Sequence, residues 1–411
     1  MKKALSLIVL LSLGSLSQAA TLTVNCYPDV NRSIEAAIPM WKKQHPDVDI
    51  RINTLAYPDH HNALTTALAT GNGAGDVDCV EIGFVARFGE SGGLEDLGKA
   101  PYNAKQYQKL VTGYAWAQAT NADGGLYVFP VDIAPGTLFY RDDILKKAGV
   151  TPAQLSKSWE SYIDAGKKIK EKTGAYLLLH ANFIALAYIR ANIGEGESLF
   201  FDAKGQPMLN SPRFVKALQL AKMARDSKLD ANLTQFTPDW TDALNKGMLA
   251  TQPFGAWFEG TMRALIPGTA GKWRAVDLPE KSYATWGGTF LAIPKQSKQK
   301  ALAWDFIRFY GLNKDVQLNS FKAITALPAL KAAQNDALFR KPVDFLGGQV
   351  VRPMWVRAAN NTRPFDANRY DSVANDALGT AITRVLNSGV DVKTALDEAQ
   401  ALVERRVNRG N

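Results

Sequence analysis

Residues 21–82 alternate between predicted strands and helices in an order that restricts this part of the chain to an open parallel sheet. Strands are predicted at residues 21–27, 48–55 and 77–82, and apolar residues recur at helical spacing in both intervening segments. The third strand is almost continuously apolar, which is typical of a strand buried on both faces. Because crossovers of this kind are right-handed, the order predicts a parallel sheet, with ligand-binding loops at the carboxyl ends of its strands.

The residues that precede this sheet have the pattern of a secretory signal peptide, residues 1–20. Lys2 and Lys3 come before an apolar stretch at 4–16, and small residues at 17–20 offer a cleavage site. The apolar stretch is too short to cross about 30 Å of hydrocarbon comfortably, although a retained N-terminal anchor stays the alternative. The first cysteine is Cys26, so no lipid-attachment cysteine follows the apolar stretch. We therefore expect an exported protein that carries no lipid anchor, and the family resemblance described below implies that it is periplasmic.

The composition excludes several classes of protein. With 411 residues, 46% of them hydrophobic and 21% charged, the chain is long enough for two or three globular domains and is neither disordered nor collagen-like. Two cysteines exclude a disulfide scaffold and a four-cysteine zinc site, and four histidines leave little for a metal centre. The net charge is +9, but the basic residues are interspersed with acids, as at 167–172, which indicates a solvated surface and not a nucleic-acid interface. No cofactor and no metal are predicted.

Two sequence motifs match catalytic or metal-binding patterns but lack the required context. Residues 89–93 match the Gly-x-Ser-x-Gly pattern of hydrolases, which needs a strand before the serine and a helix after it. A short predicted helix precedes this serine and a polar turn follows it, so a glycine-rich helix end is the better interpretation. His60 and His61 are adjacent on a predicted helix, so their side chains diverge and do not chelate one metal ion together.

A more specific indication comes from residues 125–150, GLYVFPVDIAPGTLFYRDDILKKAGV. This segment resembles the central part of the family 1 extracellular solute-binding proteins, the group that contains the maltose-binding protein. Further segments resemble the same family in the same order: SWESYIDAGKKI at 158–169, DAKGQPMLNSPRFVKAL at 202–218, ALNKGMLATQPFGAWFEG at 243–260, WGGTFLAIPKQSKQKALAWDFIRFY at 286–310, and the C-terminal helices at 363–403. Ser158 replaces a threonine of the family, and residues 248–250 match only approximately. Each motif is weak alone, but the ordered set spans nearly the whole exported chain.

The resemblance implies an α/β protein with the two-lobe periplasmic-binding-protein fold of type II. Each lobe would be a mainly parallel sheet flanked by helices, with the ligand cleft between the lobes. The expected lobes are residues 21–131 with 290–325, and residues 132–289 with 326–411. The chain would cross between the lobes near residues 131–134, 286–291 and 323–328, and bending at this hinge would close the cleft on a ligand.

The same resemblance implies reversible binding without chemistry. A monomeric receptor would capture a sugar or polyol and deliver it to the permease subunits of an inner-membrane ABC transporter. The positive charge keeps open an anionic solute, such as a sugar phosphate, glycerol phosphate or uronate, which would need several basic residues in the cleft. An enzyme on the same scaffold, similar to type I thiaminases, would need a cleft cysteine, and Cys79 lies two residues before Glu81. The implied sheet makes the strands of Cys26 and Cys79 neighbours, so these cysteines form either a disulfide or two buried thiols.

Candidate ligand-binding residues follow from the chemistry of sugars and from the family resemblance. Aromatic rings suit the C–H faces of a sugar, and carboxylate, amide and guanidinium groups suit its hydroxyls. Trp257 and Trp286 fall where the family typically stacks sugars, Glu81 ends the third strand, and Asp132 lies at the first crossing between the lobes. The predicted site comprises Tyr27, Asp29, Tyr57, Glu81, Asp132, Asn182, Trp257, Trp286, Gly288, Trp355 and Arg363. Trp240 and Glu259 are weaker candidates.

Overall fold

The computed structural model describes residues 20–121 and 123–410, which form helices packed around two larger sheets. The strands are β1 (Ala20–Cys26), β2 (Val48–Thr54), β3 (Val77–Glu81), β4 (Phe129–Pro130), β5 (Asp132–Ile133), β6 (Gly136–Arg141), β7 (Thr251–Gly255), β8 (Trp273–Val276), β9 (Thr289–Ala292) and β10 (Leu327–Pro328). Apart from Ala20, the predicted signal peptide at residues 1–20 lies outside the described residues.

The helices connect and cover these strands. They are α1 (Val30–Glu35), α2 (Ile38–Gln44), α3 (Tyr57–Thr70), α4 (Val85–Glu90), α5 (Gly113–Ala119), α6 (Asp142–Ala148), α7 (Pro152–Ser156), α8 (Trp159–Thr173), α9 (Asn182–Ala191), α10 (Pro212–Asp226), α11 (Pro238–Asn245), α12 (Phe258–Leu265), α13 (Lys300–Leu312), α14 (Lys314–Ile324), α15 (Lys331–Gln334), α16 (Arg352–Asn361), α17 (Asp371–Ser388) and α18 (Val392–Gly410). Within the described part of the chain, none of these helices combines the length and apolar character needed to cross a membrane.

The first sheet confirms the parallel arrangement predicted for residues 21–82. Its strand order is β2-β1-β3-β9-β4, and β1 runs parallel to both β2 and β3. Val24 lies opposite Ile52 on one side and Val77 on the other, so apolar side chains of three strands meet in one layer. Strand β9 joins the sheet antiparallel to β3, although more than 200 residues separate the two strands in sequence. The carboxyl ends of β1 and β3 therefore open at the same edge of the sheet.

The second sheet differs from the mainly parallel arrangement expected for the second lobe. Its order is β7-β6-β8, and β6 is antiparallel to both neighbours. Parallel pairing next to this sheet is limited, among the described residues, to single bridges such as Tyr176–Leu249 and Leu178–Asp230. All six residues of β6 are buried. Continuous burial shows that both faces of a strand are covered, and it carries no information about the direction of the neighbouring strands.

Three segments expected to cross between the lobes lie side by side. β5 pairs with β10 in antiparallel fashion, Val131 N–H donates to Thr289 O at 2.9 Å, and Trp286 N–H donates to Ala134 O at 2.6 Å. Between these bonds the backbone of Gly287 and Gly288 has φ values of 106° and 146°, a region that side-chain-bearing residues rarely adopt. The glycine pair lets the chain turn at this point without strain.

Cys26 and Cys79 form a disulfide that links β1 to β3, with their Cα atoms 5.0 Å apart. Both cysteines are fully buried. The structure thus decides between the two states that the sequence left open. It also removes the free thiol that a thiaminase-like mechanism would need at Cys79.

Candidate functional site

A cleft of about 880 Å³ opens at the carboxyl end of β3. One wall is formed by β3, the N-terminus of α3 and helix α4, and the facing wall is formed by α9, the loop at residues 199–200 and the N-terminus of α17. The residues that line the cleft are Tyr57, Asn62, Glu81, Ile82, Gly83, Phe84, Arg87, Glu90, Ser91, Gln118, Arg190, Leu199, Phe200, Thr285, Gly287, Phe365, Ala367 and residues 369–373, 375 and 376. Two of the predicted site residues, Tyr57 and Glu81, belong to this lining.

Glu81 lies in the cleft because it is the last residue of β3. Its Oε2 accepts a hydrogen bond from the Tyr57 hydroxyl at 3.1 Å and another from Gly83 N–H at 2.8 Å. Its Oε1 faces Gly287, where a Cβ atom would lie 3.8 Å away. Burial raises the pKa of the Glu81 carboxyl above its ordinary value, and the two hydrogen bonds and Arg190 oppose that rise. Glu81 therefore presents one oxygen held by the protein and one oxygen directed along the cleft.

Arg190 faces Glu81 from the other wall. Its guanidinium lies 4.8 Å from the centre of the Trp286 ring, in the range of a cation–π contact. Among residues 20–121 and 123–410, the Arg190 side chain has no hydrogen-bond or ion-pair partner, and the Trp286 ring is its cation–π partner. Burial lowers the pKa of Arg190, while the negative charge of the Glu81 carboxylate opposes that shift. The hydrogen-bond donors of Arg190 are thus directed into the cleft.

The predicted tryptophans support Arg190 from behind. Trp286 is 8% exposed. Besides Arg190 it contacts the ring of Phe183, with centroids 5.9 Å apart and an angle of 9° between the planes. Trp257 is half-buried, and its Nε1–H donates to Trp286 O at 3.0 Å. Trp286 therefore supports the guanidinium of Arg190, and Trp257 holds the backbone of Trp286.

Tyr27, Asp132 and Gly288 form a layer beneath the cleft surface. The Tyr27 hydroxyl and Thr289 Oγ1 are 3.0 Å apart, and Thr289 N–H donates to Asp132 Oδ1 at 2.9 Å. Burial raises the pKa of Asp132 to about 6. Gly288 O accepts a hydrogen bond from Ile82 N–H at 3.2 Å. These three predicted residues brace the cleft and do not line it.

Four predicted residues lie outside the cleft. Trp355 is 1% exposed, and its ring contacts Phe139 at 6.1 Å. Sugar stacking by Trp355 is therefore a wrong prediction, because α16 turns this side chain into the core. Asp29 is exposed and pairs with Arg32 at 2.9 Å. The others are Asn182, which begins α9, and Arg363, which is exposed two residues before the cleft residue Phe365.

The two weaker candidates also serve the core. Trp240 is fully buried and donates its Nε1–H to Gln252 Oε1 at 3.3 Å. Glu259 is 2% exposed and pairs with Arg263 at 3.0 Å. Both side chains are thus buried and bonded to a neighbouring side chain, so neither lines the cleft.

The outer end of the cleft contains charged residues that sequence reasoning missed. Arg369 pairs with Glu90 of the opposite wall at 3.3 Å. Asp371 begins α17, and its Oδ2 accepts a hydrogen bond from Asn368 N–H at 2.8 Å. Its buried Oδ1 has no hydrogen-bond partner among the described residues. Burial raises the pKa of Asp371 to about 7, with a further contribution from Glu90. The family resemblance of residues 363–403 indicates this region in the sequence, but Arg363 is the only residue of the region in the predicted site.

Most of the chain matches one known protein family. Residues 36–346 match the model of the bacterial extracellular solute-binding proteins. The chain belongs to this family. The predicted resemblance to extracellular solute-binding proteins is thereby confirmed.

Two sequence relatives and one solved structure are similar to this chain. It is 28% identical over 401 residues to a lactose-binding protein of Rhizobium radiobacter, covering 94% of this chain and 92% of that protein. It is 29% identical over 280 residues to an arabinooligosaccharide-binding protein of Bacillus subtilis, and the match spans 66% of this chain and 64% of that protein. It also resembles the solved structure of a galacto-N-biose/lacto-N-biose I-binding protein of an ABC transporter from Bifidobacterium longum. The TM-score is 0.79, with 19% identity over 96% of this chain and 98% of the other. This likeness shows the two-domain periplasmic-binding-protein fold.

Proposed function

We propose that this solute-binding protein captures a di- or oligosaccharide in the periplasm and delivers it to an inner-membrane ABC importer. The observation that carries the proposal is the pair of facing groups in the cleft. Glu81 supplies a hydrogen-bond acceptor on one wall, and Arg190 supplies donors that have no partner among the described residues on the other. A sugar hydroxyl both donates and accepts, so it fits between these two groups.

The rest of the cleft suits a ligand with flat apolar faces and a polar rim. Its walls carry aromatic side chains from both sides, namely Tyr57, Phe84, Phe200, Phe365 and Tyr370. Its volume of about 880 Å³ lies in the upper part of the range of about 300–1,000 Å³ for small-molecule pockets. This volume favours more than one sugar ring. The lactose-, arabinooligosaccharide- and lacto-N-biose-binding relatives support the same ligand class.

The proposed receptor cycle uses the two lobes as rigid halves. We place the lobes at residues 21–131 with 290–325, and at 132–289 with 326–411. Bonds such as Ser320 Oγ–H to Ser33 O at 3.2 Å, between α14 and α1, support the assignment of the later segment to the first lobe. Ligand contacts from both walls would favour the closed state over the open one. Residues 1–20 would direct export and be removed, and the mature protein would act as a monomer without a lipid anchor.

The anionic alternative receives less support from the cleft. Its lining contains three arginines, at positions 87, 190 and 369, and four acids, at positions 81, 90, 371 and 376. One arginine, Arg369, is already paired with Glu90. An anion would meet more carboxylates than guanidinium groups, so a neutral sugar is the better match. We also infer that the chain binds its ligand without chemistry, because it belongs to a family of solute-binding proteins. The disulfide at Cys79 removes the thiol that a thiaminase-like mechanism would need.

A thermal-shift screen tests the ligand class directly. The panel would contain lactose, β-1,6-galactobiose, maltose and arabinotriose, with galactose, galacturonate, glycerol 3-phosphate and thiamin as comparisons. At a concentration about 100 times Kd, a ligand adds about 2.7 kcal/mol to the free energy of unfolding, which raises the melting temperature by a few degrees. Titration calorimetry would then rank the ligands that shift it. A shift with glycerol 3-phosphate or galacturonate, and with no sugar of the panel, would overturn the proposal.

A further inference from the structure

Helix α3 buries two adjacent histidines directly behind the cleft. The His61 side chain is bonded on both ring nitrogens. Its Nδ1–H donates to Tyr57 O at 2.8 Å, and Glu81 N–H donates to its Nε2 at 3.2 Å. Only one form of the ring fits both bonds, namely the neutral imidazole with its hydrogen on Nδ1.

The same imidazole also orients an aromatic wall of the cleft. The His61 ring stacks on Phe84 with centroids 4.0 Å apart and an angle of 15° between the planes. The Tyr57 ring lies 4.6 Å away. Tyr57, Glu81 and Phe84 come from α3, β3 and the turn after β3 respectively. One side chain therefore fixes three cleft-lining residues that belong to three different elements.

We propose that His61 is a positioning residue for ligand binding, which holds Tyr57, Glu81 and Phe84 in place only while its imidazole is neutral. The proposal rests on the proposed function, since it concerns the same cleft. Protonation would place a second N–H opposite Glu81 N–H, where two donors meet and no acceptor remains. Burial lowers the pKa of His61 to about 4, so the ring is neutral at neutral pH.

Four other titratable groups lie around the His61 ring. The rings of Tyr27, Tyr57 and His60 pack against it, and the Glu81 carboxyl accepts a hydrogen bond from Tyr57. Arg190 is the charged group beyond them. Burial raises the carboxyl pKa of Glu81, so Glu81 titrates in acid in every variant. Only a difference between variants reports on His61.

His60 provides a matched control on the same helix. It is 2% exposed, and its Nε2–H donates to Cys79 O at 2.7 Å. It is therefore as buried as His61 and also ties α3 to β3. Its hydrogen bond is to Cys79, two residues before Glu81, and does not involve a residue that lines the cleft. The loss of His60 should therefore cost stability without moving the cleft residues.

The first test measures affinity for lactose by titration calorimetry in three variants. At neutral pH, His61→Phe should weaken binding by about tenfold, which corresponds to about 1.4 kcal/mol, because it keeps the stack on Phe84 and loses both hydrogen bonds. His61→Gln keeps a donor and an acceptor but loses the stack on Phe84, so it should bind more weakly than the natural protein, by up to about threefold, and more tightly than His61→Phe. His60→Phe should lower the melting temperature and leave affinity unchanged. Equal losses of affinity in His60→Phe and His61→Phe would overturn the proposal.

The second test is the pH profile. At about pH 3.5, a group with a pKa of about 4 is neutral in roughly a quarter of the molecules, so the natural protein should lose about fourfold in affinity through His61. His61→Gln does not titrate and should lack this loss. Identical profiles for the two proteins, both folded by circular dichroism, would contradict the positioning role.

The third test needs no ligand. Nitrogen NMR of the histidine rings in the natural protein should show His61 as the Nδ1–H tautomer, without titration above about pH 5. A His61 in the Nε2–H form, or one that titrates near its ordinary pKa, would overturn the proposal. If lactose and the other sugars fail to bind, the proposed function fails, and the NMR result still decides the state of His61.

Discussion

Replacing Arg190 by methionine should separate a ligand contact from a structural residue more clearly than any other change in the cleft. Methionine keeps an unbranched side chain over the Trp286 ring and removes the charge and all five donors. In the unliganded protein the substitution loses a cation–π contact of about 0.5–2 kcal/mol. It also removes a buried positive charge, whose desolvation lowers the pKa of Arg190. These effects oppose each other, so the melting temperature should change by less than about 3 °C.

The bound state should respond much more strongly. Hydrogen bonds to charged groups contribute about 1.5–3 kcal/mol, and a ligand hydroxyl bound by Arg190 would lose this stabilisation. Affinity for the best sugar of the thermal-shift panel should therefore fall about ten- to a hundredfold. Titration calorimetry gives the affinity, and a melting curve without ligand gives the stability.

Arg141 is a matched control for this experiment. It is also buried over a tryptophan, with its guanidinium carbon 5.6 Å from the centre of the Trp273 ring. Unlike Arg190, it is bonded to both oxygens of Asp143, at 2.8 and 2.7 Å. Arg141→Met should lower the melting temperature and leave affinity unchanged. A large loss of stability in Arg190→Met with unchanged affinity would refute the assignment of Arg190 to the ligand.

Three further predictions concern stability. Burial raises the pKa of Asp78 to about 7, above its unfolded value, so the free energy of unfolding should fall as pH rises from about 4 to about 7. Asp78→Asn, which can still accept the bond from Gly75 N–H, should flatten this slope in urea titrations, and an unchanged slope would contradict it. Trp355→Ala should reduce the free energy of unfolding by about 3–5 kcal/mol with no change in sugar affinity, and a loss of affinity among folded molecules would return Trp355 to the site. Replacing Cys26 and Cys79 together by alanine should cost about 4 kcal/mol for a disulfide that spans 53 positions; denaturant unfolding of the natural protein in reductant should match that variant.

Sequence reasoning was most successful where the relevant interactions are local. The period-2 and period-3.6 patterns of residues 21–82 record which side chains are buried, and chirality then leaves one arrangement of the three strands. This is why the parallel part of the first sheet was predictable. The end of β3 follows from the same pattern, so Glu81 and Tyr57 could be placed at the carboxyl edge of the sheet, where they line the cleft.

The local sequence pattern did not predict which face of α16 is buried, and hence the position of Trp355. Trp355 lies in a segment that also carries Arg352, Arg357 and Asn360, so in sequence it looks like a residue of an exposed helix. In a helix, however, only the packing partner decides which face is covered, and the partner of Trp355 is Phe139 on β6. A local pattern does not contain that partner, because the two residues are more than 200 positions apart.

The sequence by itself thus determined the strands and helices of the first sheet, the family, and two residues at the strand ends that meet the cleft. Only the tertiary structure decided the pairing of Cys26 with Cys79, the antiparallel direction of the second sheet, and the meeting of Arg190 with Glu81. Local patterns reflect the burial of each side chain, whereas these three features depend on which distant segments the packed chain brings together. The candidate site belongs to the second class, because its two walls come from opposite sides of a cleft and share no sequence neighbourhood.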